Sequence, residues 1–190
     1  MYDAFEDHYC YPGTTVLRNY AKLKDQSQLD AFEIDMTTQR ASEPLPAGRF
    51  SVRHYLAVHR HLFGDVYPWA GKHRTVRISK EGSAFAYPEH IDREMTRLFI
   101  WLRERRHLRG LSAAEFAHNA AHFLAELNAI HPFREGNGRT SLAFLALLAT
   151  QAGHPLHLER LEPDAMLRAA IESFFGKNER LRTVIADLVA

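Results

Sequence analysis

Apolar side chains recur every three or four residues along most of the chain from Ser27 onward. This spacing places them on one face of an α-helix, so the pattern predicts a helical protein. The predicted helices cover about residues 27–42, 51–63, 88–105, 112–130, 139–152, 163–175 and 178–189. The segment 112–130 is more apolar than the three helices before it, and we expect it to lie at the centre of the fold.

Several of these helices carry recognisable start and stop signals. Ser51 is placed to cap the second helix, and Ser112 with Glu115 three residues later forms a capping box before the fourth. Pro88 fits the first position of the third helix, and Gly153 follows the last apolar residue of the fifth. These signals support the helical prediction independently of the apolar spacing.

One segment departs from the helical pattern. Between Trp69 and Tyr87 lie two glycines and the alternating, β-prone run 75–79, followed by a turn-like segment at 80–83 and a short apolar run at 84–86. This arrangement predicts a β-hairpin over about residues 72–87. The expected fold class is therefore all-α with one short hairpin.

Composition narrows the class of protein. A chain of 190 residues with 46% hydrophobic residues is expected to form one domain over 1–190 with a sizeable core, about 51–175. Its net charge of +1 predicts neither direct nucleic-acid binding nor attraction to an anionic membrane. The longest apolar run, 142–149, is far shorter than the ~18 residues that span a bilayer. The single cysteine, Cys10, and an acidic start without a signal-peptide pattern favour a cytoplasmic protein.

The segment richest in reactive side chains joins the two most apolar helices. It is residues 131–139, His-Pro-Phe-Arg-Glu-Gly-Asn-Gly-Arg. Gly136, Asn137 and Gly138 stand directly before a predicted helix, where successive backbone N–H groups and the positive end of the helix dipole bind phosphate. Arg139 adds a planar guanidinium suited to the same phosphate oxygens.

The other two reactive residues of this segment suggest what happens to the phosphate. Glu135 is a candidate Mg²⁺ ligand, because Mg²⁺ commonly takes one or two carboxylates together with phosphate oxygens. Histidine has an ordinary pKa of about 6.5, so His131 is a candidate base that accepts a proton from an attacking hydroxyl. A Gly-rich turn or a lone histidine would each be structural, but their combination within nine residues predicts attack on a nucleotide phosphate.

A second histidine pair suggests a rival site. His118 and His122 are four residues apart on one predicted helix, the spacing of two metal ligands. Position 119 is Asn where a zinc protease would have Glu, so the pair is interpreted as structural.

At this point the chain resembles a known family. The segment from His131 to Arg139 matches the Fic-domain motif His-x-Phe-x-(Asp/Glu)-Gly-Asn-Gly-Arg-x-x-Arg at every defined position except the last, where the chain has Leu142. The resemblance also includes Tyr11-Pro-Gly-Thr, the run from His59 to Gly71 with its Leu-Phe-x-Asp-Val-Tyr-x-Trp-Ala core, and Thr75-Val-x-Ile-Ser-Lys80. It covers essentially the whole chain.

The resemblance implies an enzyme that transfers AMP from ATP to a Tyr, Ser or Thr side chain of a protein and releases pyrophosphate. His131 would be the general base, Glu135 would hold Mg²⁺, and Gly136, Asn137 and Gly138 would form the anion hole, with the Asn137 side chain contributing. Arg139 would bind the distal phosphates. The hairpin would be the family's flap, which pairs with an extended target segment, and its target-binding residues would be Thr75, Val76, Arg77, Ile78, Ser79 and Phe85.

Other activities remain open on the same motif. Kinase-like relatives carry Ala-Asn-Lys in place of Gly-Asn-Gly, so Gly136 and Gly138 favour AMP transfer over transfer of another phosphate-containing group. Removal of AMP from a modified protein uses much the same site. A nucleotide-binding regulator without catalysis is the third hypothesis, which the complete set of base, metal ligand and anion hole weakens.

Regulation and nucleotide preference give two further expectations. Many Fic domains are blocked by a helix of pattern (Ser/Thr)-x-x-x-Glu-(Gly/Asn), but Arg77 and His131 stand four residues before the two Glu-Gly pairs of this chain. The resemblance therefore implies a toxin-like enzyme with a separate antitoxin that carries the inhibitory helix. Leu142 continues an apolar stripe where the family has a second Arg, and it is interpreted as a core residue. Without the second Arg, ADP is expected to bind nearly as tightly as ATP.

Overall fold

The structure, a computed structural model, describes residues 3–4, 7–80 and 83–189. Seven α-helices form the bulk of this described part. They are α1 (Gln26–Ala41), α2 (Val52–Phe63), α3 (Pro88–Glu104), α4 (Ala113–Ile130), α5 (Asn137–Ala152), α6 (Pro163–Phe174) and α7 (Glu179–Val189). The all-α fold class is confirmed, and each predicted helix boundary lies within two residues of the observed one.

The helix ends show why these boundaries could be predicted. The Ser51 hydroxyl accepts a hydrogen bond from the His54 N–H, and the Ser112 capping box is formed in both directions. Helix α5 begins two residues earlier than predicted, at Asn137. Its N-cap is Gly136, which adopts a left-handed backbone conformation that glycine tolerates without a steric penalty. The first turn of the helix therefore includes Asn137 and Gly138.

Helix α4 is central, as its composition predicts. It is buried on more than one face and contacts α3, α5, α6 and α7. Its buried residues are Phe116, Ala117, Ala120, Ala121, Phe123, Leu124, Ala125, Leu127 and Ile130. Alanines on this helix let its neighbours approach closely, while the two phenylalanines fill the spaces between them. The segment that follows α4 is thereby attached to a helix that is buried against four others.

An aromatic cluster joins α2, α3 and α5. Phe144 is fully buried, with its ring centroid 5.3 Å from that of Tyr55 and 5.6 Å from that of Phe99. Burying such side chains contributes about 1.5–3 kcal/mol each. The cluster fixes α5 against α2 and so supports the start of α5, where the reactive segment ends.

The hairpin is present but differs from its prediction. Strand β2 (Ile78–Lys80) pairs antiparallel with β3 (Ser83–Ala84), and both are shorter than the predicted runs. The predicted turn residues Glu81 and Gly82 lie outside the described residues. A strand that the sequence did not predict, β1 (Asp3–Ala4), pairs with the other side of β2. A strand of two residues is too short to show the alternation of apolar and polar side chains by which a strand is predicted from sequence.

None of the helices in the described part of the chain is both long enough and apolar enough to cross a bilayer.

Candidate functional site

The reactive segment 131–139 begins where α4 stops. His131 is the C-cap of α4 and adopts the left-handed backbone conformation, with φ 50° and ψ 63°. Its N–H still donates to the Leu127 carbonyl at 2.9 Å, so the helix runs up to His131 and turns sharply there. The chain then passes directly into the loop 132–136.

A buried aromatic anchors the loop to the core. Phe133 is fully buried, and its ring stacks on His59 at 3.7 Å between centroids and on Tyr55 at 5.5 Å. His59 is itself fully buried; its Nε2 lies 3.1 Å from the Glu135 carbonyl and its Nδ1 accepts from the Gly71 N–H at 2.8 Å. Burial lowers the pKa of His59 to about 3, so its imidazole is neutral and donates through Nε2. The sequence interpretation gave His59 no role.

The Asn137 side chain closes the loop on itself. Its Oδ1 accepts from the Phe133 N–H at 2.9 Å, and its Nδ2 donates to the Phe133 carbonyl at 2.8 Å. The side chain is 4% exposed. In this conformation Asn137 acts as a structural clamp, whereas the resemblance implied a direct contact between its side chain and phosphate.

The loop and α5 together form a cradle of backbone donors. Gly136 has φ 82°, and a Cβ there would lie 2.4 Å from the Phe63 ring, so position 136 requires glycine on both counts. The first intrahelical hydrogen bond runs from the Thr140 N–H to the Gly136 carbonyl. The N–H groups of Asn137, Gly138 and Arg139 precede that bond and are the orphan donors of the helix. Gly138 is exposed and has open space where a Cβ would lie.

The His131 imidazole is held from two sides. The ring of Phe85 stacks on it at 3.9 Å between centroids, and its Nδ1 lies 3.3 Å from the Asn128 carbonyl. A histidine that donates from Nδ1 to a carbonyl carries its lone pair on Nε2. The arrangement therefore suits His131 to accept a proton at Nε2.

Glu135 lies beside a second carboxylate. Its Oε1 accepts from the Gly136 N–H at 2.9 Å and is 3.7 Å from the Arg139 guanidinium. Burial raises the pKa of Glu135, and the nearby charge of Glu33 acts in the same direction. Glu33 belongs to α1, so this helix brings a carboxylate to the site that the sequence did not predict.

Glu33 also contacts Arg139. An Arg139 Nη2 atom lies 2.5 Å from Glu33 Oε1, and its guanidinium lies 4.7 Å above the centre of the Phe63 ring. The Tyr67 hydroxyl donates to the other oxygen of Glu33. Arg139 is 42% exposed, so it remains accessible while it is oriented by a residue about 100 positions earlier in the chain.

A cavity of about 340 Å³ opens beside the cradle. His131, Asn137, Gly138 and Arg139 line one side of it. The rest of its lining is mainly apolar: Leu124, Leu127, Leu142, Leu161, Pro163, Met166, Leu167, Ala170 and Leu181. Its size and its combination of an apolar wall with a few polar groups are typical of sites for small organic ligands.

Leu142 lies on that apolar wall and not within the core. Its side chain is partly exposed, whereas Leu145 and Leu148 farther along α5 are fully buried. The interpretation of Leu142 as a core residue is therefore wrong, because this position of α5 lines the cavity instead.

The flap residues do not all face outward. Val76 and Ile78 are buried, and Phe85 is turned onto His131. Exposed Arg77 lies over the Tyr87 ring at 4.1 Å, and the hydroxyl of Thr75 bonds to Tyr9 at 3.2 Å. Val76 and Ile78 therefore serve the core, because alternate residues of an extended segment point to opposite sides.

The edge of β2 is also occupied, because β1 pairs with Ile78 and Ser79 on the side opposite β3. In the part of the chain that the structure describes, this edge of β2 is therefore covered and would not be the one that pairs with a target segment. The N-terminal segment is fixed to the site at a second point, since Asp7 Oδ2 accepts from both Nε and Nη2 of Arg134 at 2.7 Å.

The acidic side chains beside the start of α5 are suited to a magnesium ion, the metal that commonly accompanies phosphate transfer. The described residues contain no cluster of three or more His, Cys, Asp or Glu side chains that could hold a metal alone. Glu135 and the neighbouring Glu33 place carboxylate oxygens beside the backbone donors of α5, and one or two carboxylates together with phosphate oxygens are ligands that Mg²⁺ commonly takes. His118 and His122 line a separate surface pocket on α4, where His122 packs against Trp101, and remain a structural pair.

Comparison with known proteins agrees with this geometry. Residues 49–149 match the Fic/DOC family. The chain is 53% identical over 189 residues to a probable protein adenylyltransferase, y4lH, of Sinorhizobium fredii, covering 99% of this chain and 98% of that protein. It is 40% identical to the protein adenylyltransferase VbhT of Bartonella schoenbuchensis over 97% of this chain and 39% of the longer relative. The solved structure of the BepC protein of Bartonella tribocorum with bound AMPPNP is similar at a TM-score of 0.88 and 30% identity, over 95% of each chain.

The chain therefore belongs to the Fic/DOC family. Relatives matched over nearly their full length are named probable protein adenylyltransferases, and this chain is an enzyme of that group.

Proposed function

We propose that this chain transfers AMP from ATP to a hydroxyl side chain of a target protein, with release of pyrophosphate. The observation that carries the proposal is that one cavity is lined by a histidine oriented for proton acceptance and by the donor-rich start of α5. The relatives' activity and the AMPPNP bound in a similar structure support the same reaction. We further propose that the chain forms a single Fic domain, since one cluster of buried side chains runs from Tyr9 to Ile185.

In this proposal His131 is the general base. Its Nε2 accepts the proton of the target hydroxyl while that oxygen forms a bond to the α-phosphorus. The bond from the α-phosphorus to the bridging oxygen breaks, and pyrophosphate leaves with the electron pair. The stack on Phe85 and the contact with Asn128 hold the imidazole in place for this transfer.

The start of α5 would stabilise the charge that develops on the phosphates. The orphan N–H groups of Asn137, Gly138 and Arg139 are fixed donors, and the Asn137 side chain supports them by holding the loop closed. The Arg139 guanidinium, oriented by Glu33, would bind the distal phosphates. Glu135 would hold a Mg²⁺ ion, which neutralises phosphate charge when bound.

The remaining parts of the cavity and the flap would select the two substrates. The apolar wall that includes Met166 and Leu167 suits a planar base. The flap would align an extended target segment by backbone pairing at the outer edge of β3, because the other edge of β2 is already paired with β1. Phe85, directly after β3, contacts the His131 ring.

Isotope position distinguishes this reaction from its alternatives. Purified protein, Mg²⁺ and a cell lysate are incubated with ATP labelled at either the α- or the γ-phosphate. Label transferred to protein from the α-position alone supports AMP transfer. Transfer of the γ-label indicates a kinase-like reaction, loss of label from modified protein indicates AMP removal, and binding without any transfer indicates a regulator.

Leu142 should make nucleotide selection unusual. Without a second guanidinium, and with Arg139 shared with Glu33, we expect wild type to bind ADP nearly as tightly as ATP. Leu142→Arg should add one charge-assisted contact of about 1.5–3 kcal/mol, a roughly ten- to hundred-fold preference for ATP. Calorimetric titration with ATP and with ADP measures this preference as the ratio of the two dissociation constants, and Leu142→Met is the apolar control. Strong discrimination against ADP by wild type would show that another basic residue fills this role.

We also propose that the enzyme acts as a cytoplasmic toxin restrained by a separate small protein that carries the inhibitory helix. Of the two Glu-Gly pairs, Glu135-Gly136 is part of the reactive loop, and Glu81-Gly82 lies outside the described residues. Expression of the chain alone should slow bacterial growth, and the His131→Ala variant at equal protein level should not. Normal growth in cells that contain demonstrably active enzyme would contradict the toxin role.

A further inference from the structure

Arg74 is an arginine buried at the junction of the flap and the reactive loop. Its side chain is 2% exposed. Nε donates to the His131 carbonyl at 2.8 Å, Nη1 donates to the Val76 carbonyl at 2.6 Å, and Nη2 donates to the Ala86 carbonyl at 2.6 Å. Its backbone N–H donates to the Pro132 carbonyl at 2.8 Å.

These acceptors belong to two parts of the site. Val76 and Ala86 are the residues on either side of the flap strands, so one guanidinium fixes both ends of the flap. His131 and Pro132 are the residues through which α4 turns into the loop. The last carbonyls of a helix have no hydrogen-bond donor within the helix. Arg74 Nη2 also lies 3.3 Å from the carbonyl of Ile130, so Arg74 supplies hydrogen bonds to carbonyls at the end of α4.

The geometry of arginine explains why one residue can do this. The planar guanidinium carries five N–H donors in a fixed fork, whereas the ammonium of lysine is a point charge on a flexible stem. The carbonyls of His131, Val76 and Ala86 are therefore held at fixed positions relative to one another. A shift of the flap strands would therefore disturb the hydrogen bond that holds the carbonyl of His131.

A second contact completes the connection. Phe85, directly before Ala86, stacks on the His131 imidazole at 3.9 Å. Arg74 thus holds the backbone of His131, and Phe85, which precedes the Arg74 acceptor Ala86, holds its ring.

We propose that Arg74 is a positioning residue that couples the flap to His131, so that docking of a target on the flap sets the orientation of the base. The inference rests on the proposed function, because it assigns target docking to the flap and proton transfer to His131. The nucleotide cradle at Gly136–Arg139 is outside this set of contacts.

Arg74→Lys tests the coupling because it keeps the charge and removes the fork. We expect kcat for AMP transfer to fall on the order of 10- to 100-fold, because a small displacement of a catalytic group has an effect of this size. The dissociation constant for ATP should stay within about two-fold of the wild-type value. In the His131→Ala background the same substitution should change the residual rate by less than about two-fold, because its effect passes through His131. Arg97→Lys, a 73% exposed arginine on α3, is the matched control.

Two further measurements keep the proposal falsifiable. The ring resonances of His131, followed by NMR in the full chain, should shift in Arg74→Lys and stay in place in Arg97→Lys, whether or not AMP transfer is detected. If Arg74→Lys does not fold, Phe85→Leu should show the same loss of kcat with unchanged ATP binding.

Wild-type kcat in either folded variant, unchanged His131 resonances in Arg74→Lys, or equal losses in the presence and absence of His131 would each overturn the proposal. A wild-type chain that transfers no α-label refutes the proposed function instead, and the NMR comparison then still tests whether the contact between Arg74 and the His131 backbone positions the imidazole.

Discussion

His131→Ala should reduce AMP transfer by about 10²–10⁴-fold, the contribution of a well-placed general base. The phosphate cradle is built from the backbone of α5 and the Asn137 clamp, neither of which uses the imidazole. ATP binding should therefore change little. The initial rate of α-label transfer and calorimetric titration with a non-hydrolysable ATP analogue separate the two effects.

The backbone at position 131 determines the control for this experiment. His131 lies in the left-handed region, where Asn is tolerated better than Ala. His131→Asn should lose the same activity while keeping the turn, so agreement between the two variants assigns the loss to the base. A rate above half that of wild type in either variant would refute the assignment.

Glu135→Ala should abolish both transfer and its dependence on Mg²⁺. A metal ion at a transferring phosphate stabilises the transition state by several kcal/mol, so the expected loss is about 10²-fold or more. Glu135→Gln is the matched control for loop structure, since its amide oxygen can still accept from the Gly136 N–H. Both variants should lose the Mg²⁺ response in a titration of rate against metal concentration.

The pKa of Glu135 adds a second test of the same role. Burial raises that pKa, so the ionised form that holds a cation is lost on acidification at a higher pH than for an exposed glutamate. Transfer at low Mg²⁺ should fall as pH decreases through that range, and excess Mg²⁺ should restore it. An unchanged Mg²⁺ titration in Glu135→Ala would show that the metal is held elsewhere.

The helices could be predicted because their signals are local. Apolar spacing, the capping box at Ser112 and the glycine after α5 each act within a few residues, and these elements are confirmed. Strand β1 could not be predicted, since two residues carry no period and their partner lies about 75 positions away.

The reactive segment shows the same difference between local signals, which a sequence displays, and long-range contacts, which it does not. Its residues are predicted from their spacing, whereas the residues that contact them come from distant parts of the chain. Glu33 reaches Arg139 from α1, His59 supports Phe133 from α2, and Arg74 holds the carbonyl of His131. Such contacts depend on tertiary packing, and a single sequence gives no sign of them beyond the residue types.

The left-handed turn at His131 has a consequence for protein engineering. A side chain with a Cβ in that region costs about 1–2 kcal/mol relative to the right-handed helix, and glycine adopts it freely. On backbone grounds, a selection for thermal stability alone would favour glycine or asparagine at position 131 and would discard the base. With His131 as the proposed base, stability and turnover would rank the residues at this position in opposite orders, so thermostabilised variants of this chain would have to be selected with position 131 held fixed.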